Sequence, residues 1–133
     1  MLECLIIGDS IAVGAKSFRP DCVAYAQSGI TSHGWDKKFG HKDLTAEAVI
    51  ISLSTNDWEK ANTYDKLIQI RDKVNARRVY WIVPNEESKS HVASLVRKIA
   101  VEYKDILIVP ERWAADKIHP SWAGYKRIAD QIK

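Results

Sequence analysis

A chain of 133 residues, 46% hydrophobic and 28% charged, has the size and composition of one globular domain, here 1–133, with a single packed core. Its formal net charge of +3 argues against nucleic acid as a partner, and the densest basic stretch, Lys37 to Lys42, reads as a solvated loop. No apolar run approaches the roughly 20 residues that span a bilayer, and no basic leader precedes the first apolar stretch. The expected compartment is therefore the cytoplasm, with phage or cell lysis as a route of release.

Leu2–Ile7 is a short apolar run that reads as a buried strand. Gly8-Asp9-Ser10-Ile11 turns the chain into a helix over Ile11–Ser17. Cys22–Ala26 predicts a second strand that ends in Gln27-Ser28-Gly29, and a small helix or loop follows around Trp35 to Phe39. Ala48–Leu53 is a third, β-branched strand that stops at Ser54-Thr55-Asn56-Asp57. The next helix carries Tyr64, Leu67, Ile68 and Val74 on one face, with Arg71 at its edge. A fourth strand, Val79–Val83, is closed by Pro84, and the helix after it buries Val92, Leu95, Val96, Ile99 and Tyr103. A fifth strand, Ile106–Val109, is closed by Pro110. The last helix starts near Pro120-Ser121 and presents Tyr125, Ile128, Ala129 and Ile132.

Strands alternating with amphipathic helices predict an α/β fold with a parallel sheet, and right-handed crossovers make it a three-layer α/β/α sandwich. Cys4 and Cys22 each begin a predicted strand, and neighbouring strands would bring them close. A disulfide needs a geometry that sequence does not supply, and two reduced core thiols in a cytosolic protein are the expectation. No Cys/His spacing resembles a zinc site, and neither a metal nor a cofactor is expected.

In an open parallel sheet, ligands bind beyond the carboxyl ends of the strands. Ser10, Gly29, Asn56 and the stretch Asp116-Lys117-Ile118-His119-Pro120 all follow strands and so gather at one rim. A nucleophilic serine needs a base, a group that orients the base, and donors for an oxyanion. His119 is the candidate base, since His33, His41 and His91 do not follow a strand. Asp116, three residues earlier, can hold its imidazole, while Asn56 and Gly29 offer N–H donors. Taken alone, Ser10 reads first as a helix cap, the commonest task of a serine before an apolar helix. A phosphate loop fits poorly: five residues separate Gly8 from Gly14, and Ala15 precedes Lys16, whereas a P-loop has four and then lysine directly.

Together these blocks resemble the SGNH (GDSL) hydrolase family. Gly8-Asp9-Ser10-Ile11 is similar to its nucleophile block, Gly29 to its second block, Ser54-Thr55-Asn56-Asp57 to its Gly-x-Asn-Asp block, and Asp116-Lys117-Ile118-His119 to its Asp-x-x-His block. The resemblance implies a flavodoxin-like sheet of order 2-1-3-4-5. It also implies Ser10 as nucleophile, His119 as general base and then acid, and Asp116 as the orienting carboxylate. The oxyanion hole would be the backbone N–H groups of Ser10 and Gly29 with the Asn56 side chain. The implied activity is a serine esterase for small acyl groups, with a small-molecule or glycan ester as substrate. A catalytically weak ester- or glycan-binding domain is the alternative, and a nucleotide binder a more distant one.

Two departures from the pattern matter. Ser54 stands where the family has glycine, which would strain the backbone if the position demands a glycine conformation. The chain is also short for the family, which implies trimmed loops and an open site. Trp58, Trp113 and Trp122 lie close in sequence to the candidate residues and are expected to wall the substrate site.

Overall fold

The computed structural model describes all 133 residues. The elements alternate as the apolar periodicity predicts: β1 (Leu2–Gly8), α1 (Ser10–Ser17), β2 (Val23–Ala26), α2 (Ser32–Phe39), β3 (Thr45–Ser52), α3 (Thr63–Asp72), β4 (Asn75–Ile82), α4 (Ser90–Tyr103), β5 (Ile106–Ile108) and α5 (Trp122–Gln131). The five strands are parallel and lie in the order β2-β1-β3-β4-β5, the expected sheet.

Alternation along each strand divides the core in two. Leu5 and Ile7 of β1, Val49 and Ile51 of β3, and Val79 and Trp81 of β4 point to the face covered by α2, α3 and α4, where they meet Trp35, Leu67, Ile70, Val96 and Ile99. Cys4 and Ile6, Ala48 and Ile50, and Tyr80 and Ile82 point the other way, against Ile11, Ala12 and Ala15 of α1 and Ile128 of α5. Both faces are covered, which is why the strands read as near-continuous apolar runs. No helix is long and apolar enough to cross a membrane.

Two strands start earlier than the apolar runs indicate. β3 begins at Thr45 and β4 at Asn75, because their polar first halves pair with one another at the sheet's amino end, where Arg77 and Glu47 lie 3.3 Å apart. α2 likewise begins at Ser32, capped by Thr31 Oγ1, which accepts from the Gly34 N–H at 3.0 Å.

The cysteines correct an expectation. Cys4 and Cys22 form a disulfide with a Cα–Cα distance of 4.8 Å. The register explains it: Leu5 pairs with Val23, so the residues just before them are neighbours across two strands. Closing an 18-residue separation contributes about 3 kcal/mol in the chain-entropy picture. Disulfides persist in oxidising surroundings, so the thiol argument for the cytoplasm no longer stands.

Candidate active site

β1 ends in Gly8, where β1 and β3 run so close that a Cβ would sit 1.8 Å from the Ser52 carbonyl oxygen. Only glycine fits there, and its φ of +146° starts the turn. Asp9 then caps α1. Its Oδ1 accepts from the Ile11 N–H at 3.0 Å and from the Ser52 hydroxyl at 3.3 Å. Ser10, half-buried, is the first residue of the helix, where backbone N–H groups lack intrahelical acceptors and favour negative charge.

His119 reaches this serine from the far end of the chain. Ser10 Oγ and His119 Nε2 are 2.8 Å apart, and His119 Nδ1 lies 2.7 Å from Asp116 Oδ2. A carboxylate can only accept, so Nδ1 carries the hydrogen and Nε2 is left to accept from the Ser10 hydroxyl. Asp116 is fastened further by the backbone N–H groups of Ile118 and His119, which donate to its Oδ1 at 2.9 and 3.0 Å. The His119 ring first, and then these two amides, hold its carboxyl well below the usual carboxylate range.

The loop that carries the pair is closed on itself. The Ala114 N–H donates to the His119 carbonyl at 2.8 Å, Trp113 bridges to Pro120, and the Ser121 N–H donates to the Arg112 carbonyl at 2.9 Å. The Ser88 hydroxyl ties this loop to the one after β4 by donating to the Lys117 carbonyl. The site is open to solvent: the side chains of His119 and Asp116 are 40% and 47% exposed.

Asn56 and Gly29 come to the same rim. Asn56 Nδ2 donates to the carbonyl of Ile30, the residue after Gly29, at 3.1 Å, which leaves a second N–H on the amide. Gly29 is exposed, with φ +79° and open space where a Cβ would project. Ser54 adopts φ +90°, a region that costs a residue with a Cβ about 1–3 kcal/mol, and its hydroxyl is fully buried without a partner. The glycine conformation is thus kept at this position by a serine.

The three tryptophans do not form one wall. Trp58, 66% exposed, borders a cavity of about 310 Å³ with Thr31, His33 and Lys60. Trp113 borders another of about 350 Å³ with Asn85, Glu86 and Lys117. Ser10 and His119 line neither. Trp122, 73% exposed, stands edge-on to Phe18 at 5.2 Å. Trp58 and Trp113 project from separate loops, and Trp122 is the first residue of α5.

Asp57, beside Asn56 in the same block, has a structural part that the sequence does not single out. It is buried, accepts from the Ser32 N–H and the Thr63 hydroxyl at 2.8 Å each, and so joins the starts of α2 and α3 to the loop that bears Asn56. Its only signal is an acid directly after Asn56 and six residues before Thr63. Cys4, Cys22 and Asp21 are grouped closely enough to suggest a metal, but both sulfurs are spent in the disulfide and Asp21 is paired with Arg19.

No family model and no curated protein matches this chain. Solved structures do. A GDSL-like lipase from Bacteroides thetaiotaomicron superposes with a TM-score of 0.70 at 15% identity, over 98% of this chain and 85% of that one. The C-terminal catalytic domain of peptidoglycan O-acetyltransferase A from Streptococcus pneumoniae, solved with a methylsulfonyl adduct, superposes with a TM-score of 0.64 at 20% identity, over 96% and 88%. The chain has the SGNH (GDSL) hydrolase fold.

Proposed function

From this fold and the hydrogen-bonded path Ser10–His119–Asp116, we propose that the protein is a serine esterase that works through an acyl-enzyme. The observation that carries the reading is that path, with links of 2.8 and 2.7 Å. His119 Nε2 takes the Ser10 proton as Oγ attacks the ester carbonyl, Asp116 steadies the imidazolium, and the proton passes to the leaving alcohol. Water, activated by the same imidazole, then releases the acid. The Ser10 and Gly29 N–H groups and the free amide N–H of Asn56 are the proposed oxyanion donors. No cofactor enters these steps.

The substrate reading follows from openness. Neither neighbouring cavity is lined by Ser10 or His119, and the pair stands on an open rim. A small acyl group such as acetyl on a bulky alcohol, a carbohydrate or a cell-wall glycan, suits an exposed nucleophile. A second reading, an ester- or glycan-binding domain with weak turnover, draws on the strain at Ser54. Hydrolysis of p-nitrophenyl acetate, butyrate and octanoate by the purified protein tests both. The esterase reading expects turnover that falls at least about tenfold from acetate to octanoate. A folded protein that hydrolyses none of the three contradicts it.

A further inference from the structure

Resting on that esterase reading, we propose that Asp9 is a positioning residue for Ser10, a buried acid that favours attack when neutral and opposes it when charged. Asp9 is fully buried, and no hydrogen bond reaches its Oδ2. Its Oδ1 caps α1 at Ile11 and binds the Ser52 hydroxyl of β3. A carboxylate with one oxygen unsolvated and unbonded is unfavourable as an anion. Burial accordingly raises its pKa to about 7, against the opposing pull of the Ile11 amide and Ser52.

The groups around it do not offset this. α1 contributes the backbone amides of Ile11 and Ala12, β3 the Ser52 hydroxyl, and α5 the Tyr125 phenol, itself raised to about 12 by burial and by the negative charges of Asp9 and Asp116. No cation pairs with Asp9. The consequence for chemistry is local. The amino end of α1 serves two negative groups, the Asp9 cap and the oxyanion that would form beside the Ser10 N–H. Neutral Asp9 still caps through its carbonyl oxygen and leaves that positive end to the oxyanion. Ionised Asp9 occupies the same dipole with a full charge one residue away.

Infrared titration of the wild-type protein reads the carboxyl directly and needs no variant. The proposal expects the carbonyl stretch of a protonated carboxyl at about pH 6 that fades as the pH passes 7. Absence of that band at pH 6, or its persistence unchanged to about pH 9, overturns the proposal. The rate of Ser10 labelling by a fluorophosphonate gives the second arm, compared with that of Asp9→Asn, because the His119 limb cancels in the ratio. The wild-type-to-variant ratio should fall about tenfold between about pH 6 and pH 9, the effect of one nearby charge. A constant ratio in labelled proteins sinks this proposal alone, whereas Ser10 that labels in neither protein sinks the esterase reading and this proposal with it.

Discussion

The two ends of the sheet are built differently. At the amino ends of the strands the chain is fastened: the Cys4–Cys22 disulfide staples β1 to the approach to β2, and Arg19 pairs with Asp21 while donating to the carbonyls of Ala129 within α5 and Ile132 just after it. On the same side, Arg71 makes a two-point ion pair with Asp105, whose carboxylate also accepts from Trp81 Nε1. At the carboxyl ends the chain is less well satisfied. Ser54 and Lys117 carry positive φ, and Asp9 Oδ2, Ser32 Oγ, Ser54 Oγ and Thr55 Oγ1 are buried without partners. Strained backbone and unpaired polar groups are tolerated where the surroundings over-determine them. In this molecule most of them lie near the candidate active site, with Lys104 (φ 57°) before β5 and the unpartnered Arg78 Nε as the exceptions at the amino end. The main fastenings lie at one end and the candidate site at the other.

Stability against pH breaks this comparison most strongly. Asp9 has a folded pKa of about 7 against an unfolded value of 3.8, so its neutral form costs nothing below 3.8 and the molecule loses stability as the pH rises from there to about 7. The loss amounts to about 4 kcal/mol as an order of magnitude. Asp116 works in the opposite sense: its lowered pKa contributes above 3.8 and is lost only under strongly acid conditions. Urea midpoints at about pH 5 and pH 8 check the first claim. Asp9→Asn should gain most over wild type at pH 8, and an equal difference at both values refutes the assignment.

Reducing the disulfide, or replacing both cysteines by alanine, should lower stability by about 3 kcal/mol. Chemical denaturation with and without reductant measures it, and a change below about 1 kcal/mol would mean that the staple restrains little. At the other end, Ser54→Gly removes the left-handed strain and an unpartnered hydroxyl, less the added freedom of an unfolded glycine. It should raise stability by about 1 kcal/mol. Thermal unfolding reads the sign, and a loss of stability would show that the Ser54 side chain contributes packing that outweighs its strain.

Much of this was legible in the sequence, for identifiable reasons. The five strands and their order follow from apolar runs closed by Gly8, Pro84 and Pro110 and from the family resemblance. The proximity of Ser10, His119 and Asp116 follows from placing each after a strand. The suspicion about Ser54 became the observed φ of +90°. The disulfide stayed hidden because it depends on register, which neither Cys4 nor Cys22 encodes alone. The early starts of β3 and β4 were masked by Glu47, Arg77 and Arg78, polar residues that pair only once the sheet exists. Asp9 and Asp57 stand in turns after β1 and β3, and sequence position does not reveal that these turns are buried.

The central claim is that Ser10 is made nucleophilic by His119. The rate at which a fluorophosphonate labels Ser10, located by mass spectrometry, tests it in wild type and in His119→Ala. The account predicts labelling at Ser10 in the wild type, slowed at least about a thousandfold in the variant while its unfolding midpoint is maintained. Equal rates in the two proteins, or a label on another residue, would contradict it.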